Sequence, residues 1–379
     1  MTAISDVPSD VAGRIGRTLY PETADFAVER GYIWTSCASV ENGNPLFWDD
    51  KVAAELTDGP IAPPTTLSLW FRPHHWRPGQ APQKLPLQVH FDLKDRLGLP
   101  EAIMSDSEVA FHEPVRPGDV ISTSQVLRSL SEPKSTKLGT GRFWVIDVPY
   151  RNQRDELVGV ETFTGFGYVR EGARETHPPP APPTTEAPPS AAVYSVARPA
   201  KPDQATPGGT ARAVPPGPPS RVAHVIQLQD IAVGDVLPPL HYDVTATTVV
   251  LGALATRDWR PMHHDRTFAI ERNGAKDIFL NTPNLQAWFE RYVTDWTGPL
   301  GRLGRMRFRM RDSVYPGDTM ALAGSVTEVT ADDAGCGWVT LAIDLTVGER
   351  SCASGTVRVA VPTTADDNPW RRAGDQWVP

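Results

Sequence analysis

The stretch Thr282-Pro-Asn-Leu-Gln-Ala-Trp-Phe-Glu-Arg-Tyr-Val-Thr-Asp-Trp296 predicts one long and unusually apolar helix. Threonine followed by proline is typical of a helix start, because threonine caps free N–H groups and proline fits the first helical position. Apolar side chains then recur at three- and four-residue steps, at Leu285, Trp288, Phe289, Tyr292, Val293 and Trp296. A helix with so broad an apolar face needs a sheet wrapped around it, so this stretch predicts an α+β fold.

Two Pro-Gly-Asp turns indicate an internal repeat around this helix. Residues 115–120 read Val-Arg-Pro-Gly-Asp-Val and residues 314–319 read Val-Tyr-Pro-Gly-Asp-Thr, and each turn leads into an alternating strand pattern. Further strands are predicted at 141–150 and 158–169 in the first half and at 338–347 and 351–361 in the second. Two antiparallel sheets, each cradling a helix, are expected to join edge to edge and so cover their open strand edges.

The halves are separated by a segment that cannot form a core. Residues 177–220 contain 14 of the 38 prolines and almost no large apolar side chain. We therefore predict an N-terminal domain over 1–171, a linker over 172–220 and a C-terminal domain over 221–379. The first half offers only a weak counterpart of the long helix, from Pro64 to Phe71.

Composition excludes several classes of function. A net charge of −8 provides no basic surface for nucleic acid. The three cysteines, Cys37, Cys336 and Cys352, lack metal-ligand spacing, so no metal site or disulfide framework is predicted. The N-terminus lacks the features of a secretory signal and no window is long and apolar enough to cross a membrane, so a cytoplasmic protein without membrane partners is expected.

One pair of side chains suggests chemistry. Asp258 and His263 stand five residues apart in the segment Asp-Trp-Arg-Pro-Met-His. A carboxylate and an imidazole joined by one tight turn can hold a water and move its proton, which is what hydration requires. The first half repeats this frame with Asn42 and Phe47 at the two positions, and neither side chain accepts a proton at neutral pH.

These features resemble the MaoC-like dehydratases, the hotdog-fold family that includes (R)-specific enoyl-CoA hydratases. The family signature is Asp, any residue, Asn, Pro, an aliphatic residue and His, and residues 258–263 match it except that Arg260 replaces Asn. The segments at 230–235 and 314–318 are also similar to the family, and Asn44-Pro45 survives in the first half. The resemblance covers about 320 residues, and the first half is similar to the dehydratase-like domain fused in front of such enzymes.

The resemblance implies a double hotdog in which two units share one acyl-CoA tunnel and only the C-terminal unit is catalytic. Asp258 and His263 would share the roles of base and acid, and Asp258 is expected to raise the pKa of His263. The enolate oxygen needs N–H donors at the start of the long helix. Because Pro283 has no N–H, Asn284 and Leu285 are the predicted donors.

Several arginines have alternative roles. Arg260 is expected either to position Asp258 or a substrate group, or to point outward and pair with Asp265. Arg305, Arg307 and Arg309 alternate with apolar residues along one strand, and this row either binds the phosphates of coenzyme A or is the solvent face of a sheet. The basic, aromatic segment 71–79 is read either as part of the acyl entrance or as a surface loop.

The sequence favours an enzyme that hydrates 2-enoyl-CoA or dehydrates (R)-3-hydroxyacyl-CoA. Long or bulky acyl groups are expected in its substrates, because the first helix is weak. Two alternatives stay open. A hotdog thioesterase would use an acidic residue of the central helix, Glu290 or Asp295, and a non-catalytic acyl-CoA-binding subunit would complete the site of a partner. The acyl carrier is coenzyme A or a carrier protein, no separate cofactor is expected, and a monomeric double hotdog or a homodimer is predicted.

Overall fold

The structure is a computed structural model that describes residues 7–79, 87–170 and 225–379. The predicted linker at 172–220 lies outside the described residues. The domain boundaries at 171 and 221 therefore stay predictions. Within the described residues no helix has the length and apolar character needed to cross a membrane.

The described strands form one continuous antiparallel sheet of eleven strands. In spatial order the sheet runs β1-β3-β5-β6-β2-β8-β11-β10-β9-β7, and β4 lies beside β5. The strands are β1 (Thr18–Thr23), β2 (Glu101–Phe111), β3 (Ser122–Leu130), β4 (Lys134–Thr136), β5 (Gly139–Arg151), β6 (Leu157–Val169), β7 (Leu240–Asp243), β8 (Arg302–Met310), β9 (Thr319–Ala331), β10 (Gly337–Val347) and β11 (Arg350–Val361).

The two halves meet at the centre of this sheet. Strand β2 of the first half pairs with β8 of the second, from Ser107 opposite Phe308 to Ala110 opposite Arg305. Each half thus covers the open edge of the other, which removes two edges that would otherwise be free to pair with other chains. The predicted α+β double hotdog with sheets joined edge to edge is confirmed.

Eight α-helices occur among the described residues. They are α1 (Ser9–Ala12), α2 (Arg30–Ser39), α3 (Pro45–Trp48), α4 (Asp50–Thr57), α5 (Gln88–Arg96), α6 (Ala246–Ala255), α7 (Arg266–Glu271) and α8 (Thr282–Thr297). Short 3₁₀ helices cover Pro64–Phe71, Leu228–Asp230, Pro261–His263, Pro369–Arg371 and Gly374–Gln376. We call Pro64–Phe71 the 3₁₀ segment.

Helix α8 is the central helix of the C-terminal unit, as its periodicity predicts. Leu285, Trp288, Phe289 and Val293 are fully buried against the sheet. Each such aliphatic or phenyl side chain contributes about 1.5–3 kcal/mol of transfer free energy. The helix starts one residue away from the prediction, because Asn281 occupies the N-cap position and Thr282 and Pro283 lie inside the first turn.

The N-terminal unit has no equivalent long helix among its described residues. At the corresponding place lies the 3₁₀ segment, eight residues long with Leu67, Leu69 and Trp70 buried. A 3₁₀ helix has poorer hydrogen-bond geometry than an α-helix and rarely extends far. The next helix of this unit, α5, is a separate element. The two units therefore differ most in their central helices.

The Pro-Gly-Asp turns confirm that the units repeat one another. In each turn the aspartate accepts a hydrogen bond from the N–H three residues earlier, from Arg116 to Asp119 at 2.8 Å and from Tyr315 to Asp318 at 2.9 Å. The turn glycine has a φ of 89° in both copies, a left-handed value that glycine adopts without strain.

Candidate active site

Two turns with the same backbone lie at equivalent places in the units. We call residues 41–49 the N-terminal turn and residues 257–265 the C-terminal turn. The N–H of Asn42 donates to Cys37 O at 2.8 Å, and the N–H of Asp258 donates to Ala253 O at 2.9 Å. The preceding residue has a left-handed backbone in both turns, with φ of 50° at Glu41 and 47° at Arg257.

The structure brings Asp258 and His263 together, and both are at least 95% buried. His263 Nε2 lies 3.7 Å from Asp258 Oδ2, too far for a direct hydrogen bond and close enough for one water to contact both. His263 Nδ1 lies 2.8 Å from the carbonyl oxygen of Phe279, which accepts a hydrogen bond only if Nδ1 carries the proton. The neutral imidazole therefore presents a free lone pair at Nε2 towards the carboxylate.

Three side chains hold the carboxylate of Asp258. Arg260 donates to both oxygens, from Nε to Oδ1 at 2.8 Å and from Nη2 to Oδ2 at 2.7 Å. Asn281 Nδ2 donates to Oδ2 at 3.0 Å, and Arg72 Nη1 lies 3.9 Å from the same oxygen. Arg260 thus pairs with Asp258, and the alternative pairing with Asp265 is wrong because both of these guanidinium donors are on the Asp258 carboxylate.

Burial and charge set the protonation of the pair in opposite ways. Burial alone would raise the pKa of Asp258, but the hydrogen bonds and charge of Arg260, then Arg72 and Asn281, hold that pKa well below its usual range. Asp258 raises the pKa of His263, as expected, and so does the Phe279 carbonyl. Burial, with smaller contributions from Arg260 and His264, acts in the other direction and leaves the pKa of His263 below its ordinary value. The favoured state has an ionised Asp258 and a neutral His263.

The start of α8 supplies N–H groups beside this pair. Among the described residues, the N–H groups of Thr282 and Asn284 have no hydrogen-bond acceptor, whereas that of Leu285 donates to Asn281 O at 3.1 Å. Leu285 is therefore wrong as an oxyanion donor, because its N–H belongs to the helix. The N–H of Asn284 stays a predicted donor, and its side chain faces away, with Nδ2 3.1 Å from Ser39 Oγ.

Sequence reasoning missed two residues of the site. Asn281 occupies the N-cap position of α8, yet its side chain bonds to Asp258 and to Thr256 Oγ1, at 2.7 Å, instead of capping the helix. Arg72 follows the 3₁₀ segment of the other unit and also donates to Thr256 O at 3.3 Å. An unusual asparagine before Thr-Pro was a visible signal for the first. Arg72 lies in the basic, aromatic segment 71–79, but no local pattern indicated its contact with Asp258.

The N-terminal turn contains no equivalent chemistry. Asn42 accepts a hydrogen bond from the N–H of Asn44 at 3.0 Å, and Asn44 accepts one from Leu46. Phe47 is buried where the C-terminal unit has its histidine. The position of Asn281 is taken by Pro63, since Ala62 and Leu280 make equivalent backbone bonds to Val115 and Val314. This turn keeps its shape without a proton acceptor.

A small cavity, with room for about one water, lies between the units at the start of α8. Ser36 and Ser39 of α2, Thr65 of the 3₁₀ segment, Pro283 and Ala287 of α8, and Thr256 line it. Segment 71–79 packs on the C-terminal turn at its start, where Trp259 Nε1 donates to Pro73 O at 2.8 Å.

The predicted arginine row lies on the other face of the sheet. Met306 and Phe308 of β8 are buried on the side of α8, so the arginines between them point away from it. Arg305 donates to Glu108 Oε1 at 2.8 Å, and Arg307 donates to Asp106 Oδ2 at 2.7 Å. Both pairs cross the junction between β8 and β2. Coenzyme A binding by Arg305, Arg307 and Arg309 stays a prediction. Arg305 and Arg307 already form ion pairs that join the two units.

Comparison with known proteins adds to this geometry. Residues 14–160 match the family described as "FAS1-like, dehydratase domain region". The chain is 42% identical over 97 residues to the 3-oxo-4,17-pregnadiene-20-carboxyl-CoA hydratase beta subunit of Mycobacterium tuberculosis, an alignment that covers 26% of this chain and 74% of that subunit. It is 27% identical over 169 residues to a probable enoyl-CoA hydratase alpha subunit of Thermomonospora curvata, covering 44% of this chain and 53% of that one.

A solved structure shows the same fold. The structure described as a MaoC-like dehydratase superposes on 93% of this chain and all of its own length, with a TM-score of 0.59 and 17% sequence identity. At that identity the likeness concerns the fold. The overall fold is therefore shared with a known protein.

Proposed function

This chain belongs to the MaoC-like hydratase family, and we propose that its C-terminal unit hydrates 2-enoyl-CoA thioesters to (R)-3-hydroxyacyl-CoA and catalyses the reverse dehydration. The observation that carries the proposal is the gap of 3.7 Å between His263 Nε2 and Asp258 Oδ2. The gap is closed to bulk solvent and flanked by the start of α8.

The pair is suited to activate one water. Nε2 of the neutral His263 accepts a proton from the water while the ionised Asp258 accepts its other hydrogen bond and orients it. Arg260 and Asn281 fix the carboxylate, so Asp258 does not need to reorganise when charge develops. The low pKa of Asp258 makes it an acceptor of hydrogen bonds and a poor proton donor.

The proposed reaction needs only the water, His263 and the thioester to move its protons and electron pairs. The water oxygen bonds to the β-carbon, its proton passes to Nε2, and the electron pair of the double bond moves onto the thioester oxygen as an enolate. The protonated His263 then returns a proton to the α-carbon and becomes neutral again. The N–H of Asn284 and the positive end of the α8 dipole stabilise the enolate oxygen.

We propose a bulky acyl group as the preferred substrate. The 3₁₀ segment is half the length of α8, and the cavity at the start of α8 is lined mainly by small side chains. One relative is named for a pregnadiene-carboxyl-CoA.

We further propose that the chain unites functions that its relatives divide. The two curated relatives are named as an alpha and a beta subunit. Here the N-terminal unit contributes Arg72 to the site of the C-terminal unit, so one chain supplies both sides of the site.

The direct test replaces each member of the pair. We expect Asp258→Asn and His263→Ala each to reduce kcat by about 10³-fold or more, because the water loses its orientation or its base. The substrate is a bulky 2-enoyl-CoA, with crotonyl-CoA for comparison. Loss of the enoyl absorbance reports hydration, and a thiol reagent reports free coenzyme A.

His264→Ala is the matched control, because His264 is exposed next to His263 and its Nε2 lies 3.2 Å from the Trp259 carbonyl oxygen. It should stay within about twofold of the parent protein. Release of free thiol without loss of the enoyl absorbance would point to the thioesterase alternative. Unchanged hydration in both pair variants would falsify the assignment.

A further inference from the structure

The backbone that leads into Asp258 is held by the N-terminal unit. Helix α6 ends at Ala255, and the last carbonyl groups of an α-helix have no N–H partner within the helix. Here the carbonyl groups of three successive residues lie within hydrogen-bond distance of side chains of the N-terminal unit. The bonds run from Tyr32 Oη to Leu254 O at 2.7 Å, from Ser36 Oγ to Ala255 O at 3.1 Å and from Arg72 Nη1 to Thr256 O at 3.3 Å.

Arg257, which lies between these carbonyl groups and Asp258, continues the pattern with its side chain. Its guanidinium lies between the rings of Phe26 and Tyr32, 4.2 Å and 4.3 Å from the ring centroids, and Nη2 donates to Glu29 Oε2 at 2.8 Å. We call these three residues of the N-terminal unit the arginine cage. The Arg257 side chain has no exposed surface. A guanidinium held over an aromatic ring without water gains about 2 kcal/mol, so the cage holds Arg257 in one place.

Burying this guanidinium is costly. Nε and Nη1 of Arg257 have no hydrogen-bond partner among the described residues, and both lose the bonds that they make to water in the unfolded chain. Buried ion pairs also add little net stability, because the loss of hydration offsets the attraction. Stability alone therefore explains the arginine cage poorly, and a role in fixing one conformation explains it better.

The internal repeat provides a comparison for Arg257. Glu41 occupies the equivalent place in the N-terminal turn, with the same left-handed backbone, and it precedes Asn42, which accepts no proton. The Glu41 side chain is 59% exposed, and its carboxylate oxygens lie 3.2 Å from Tyr242 Oη and 3.8 Å from Arg291 Nη1. The turn thus forms without a buried charge at this position. The buried charge occurs in the turn whose next residue is the catalytic carboxylate.

The two members of the catalytic pair are held from different sides. His263 is fixed within its own unit, because its Nδ1 bonds to the Phe279 carbonyl. The backbone of Asp258 follows four residues that all contact the N-terminal unit. The gap of 3.7 Å between His263 Nε2 and Asp258 Oδ2 depends on both, and a shift of about 1 Å is enough to spoil a reactive geometry.

We propose that Arg257 is a positioning residue: the arginine cage holds its side chain, and through it the backbone of Asp258, at the distance from His263 that admits one water. The inference rests on the proposed function, because the width of the gap matters only if the pair acts on a water. It gives the N-terminal unit a task in the reaction that requires no proton acceptor of its own.

Matched glycine substitutions in the two turns test the proposal. Glycine adopts a left-handed backbone without strain, so Arg257→Gly removes the caged side chain without opposing the turn, and Glu41→Gly does the same in the N-terminal turn. With a 2-enoyl-CoA as substrate, Arg257→Gly should lower kcat about tenfold or more and change KM by less than about twofold, because the water and not the acyl group is misplaced. Glu41→Gly should stay within about twofold of the parent protein. Arg257→Lys keeps a charge between the two rings, so its kcat should lie within about threefold of the parent value.

A titration without substrate reports the gap directly. Asp258 raises the pKa of His263, so that pKa falls if the carboxylate moves away. NMR of the histidine rings, with His263 assigned from the spectrum of His263→Ala, should give a lower pKa for His263 in Arg257→Gly than in the parent. Glu41→Gly should give the parent value. A partial loss of folded protein would lower activity without moving this pKa.

Denaturant unfolding checks that each variant folds. If Arg257→Gly does not fold, Phe26→Leu takes its place, because it removes one ring of the arginine cage and leaves the turn itself unchanged. The same fall in kcat and in the pKa of His263 is expected.

An unchanged pKa of His263 in Arg257→Gly, or equal losses of kcat in the two glycine variants, would overturn the inference. Hydration by the parent protein tests the proposed function separately. A pKa of His263 that depends on Arg257, in a protein that hydrates no enoyl-CoA, would contradict the proposed function and leave the positioning role standing. Hydration by the parent with an unchanged pKa in Arg257→Gly would do the opposite.

Discussion

The N-terminal and C-terminal turns have the same path and different chemistry. Both bond the third residue after a helix back to that helix, and both strain the residue before it into a left-handed backbone. The turns differ in chemistry because Asn42, Asn44 and Phe47 stand where the C-terminal turn has Asp258, Arg260 and His263. Outside the turns, Pro63 stands where the C-terminal unit has Asn281. The comparison teaches that the backbone of this turn is a folding element in its own right, and that the chemistry is an addition to it.

A second pair of equivalent positions shows what each unit gives the other. Arg72 lies ten residues after Ala62, and Glu290 lies ten residues after Leu280, so the two occupy the same place in the repeat. Arg72 reaches the catalytic carboxylate of the C-terminal unit, and Glu290 reaches Thr65 of the N-terminal unit. The two contacts between the units thus differ in charge, since one is made by a guanidinium and the other by a carboxyl group.

The largest effect is expected from making the C-terminal turn resemble the N-terminal one. His263→Phe should lower kcat by about 10³-fold or more, because the phenyl ring fills the space of the imidazole and accepts no proton. Loss of enoyl absorbance is the measurement. The reciprocal Phe47→His is the control, and it should not restore any activity to the His263→Phe protein, since Asn42 and Pro63 supply neither a carboxylate nor its asparagine.

Recovery of hydration in the double variant would contradict the view that the carboxylate and its holders are needed as well as the histidine. It would also mean that the N-terminal turn is one substitution from activity.

The next largest effect concerns stability and Glu290. Its ordinary pKa of 4.5 is raised to about 7 in the folded protein, so the unfolded chain loses this proton at lower pH than the folded one. Stability is therefore lost as pH rises from about 4.5 to 7, and the loss amounts to about 3 kcal/mol. Glu290→Gln cannot ionise, so it should be more stable than the parent by about that amount at pH 8 and equal to it near pH 4.5.

Denaturant unfolding at the two pH values measures the difference. An equal gain in stability at both values would show that packing, and not ionisation, is responsible.

The features of the two units that could be predicted from the sequence are those with a local sequence signal. The Pro-Gly-Asp turns, the stripe on α8 and the spacing of Asp258 and His263 are set within a few residues, so they predict the repeat and the candidate pair. The contact of Thr65 with Glu290 joins residues 225 positions apart, and the contact of Arg72 with Asp258 also crosses between units. No pattern in one unit encodes such contacts.

The same limit explains two further outcomes. The net direction of the His263 pKa depends on burial, which follows from the packing of both units. The sequence left Asp258 and Asp265 as alternative partners of Arg260, and the folded turn brings the guanidinium to Asp258.

A smaller effect is expected at Arg260, whose equivalent in the N-terminal turn is Asn44. Arg260→Asn removes the bidentate pairing, so burial is opposed by fewer charges and the pKa of Asp258 rises. Activity needs the ionised carboxylate, so kcat/KM should fall about tenfold at pH 5 and less at pH 8. Stability above the ordinary pKa of Asp258 should fall as well, because a depressed pKa stabilises the fold only while the group is ionised.

The pH profile of kcat/KM is the measurement. Arg266→Asn is the matched control, since Arg266 is exposed and pairs with Asp277 at 3.2 Å, away from the pair. A profile of Arg260→Asn that coincides with that of the control would mean that Asp258 does not depend on this arginine.

The smallest effect is expected at Arg72, and it tests whether the N-terminal unit takes part in catalysis at all. Arg72 lies 3.9 Å from Asp258 and is partly exposed, so solvent weakens its field. Arg72→Gln should lower kcat/KM about threefold at pH 5, in the same direction as Arg260→Asn, because it removes a weaker part of the same positive field. Arg77→Gln is the matched control, since Arg77 lies in the same segment and pairs with Asp25 instead. If both variants behave alike, the N-terminal unit only shapes the site; a loss confined to Arg72→Gln means that it also sets the charge of the catalytic carboxylate.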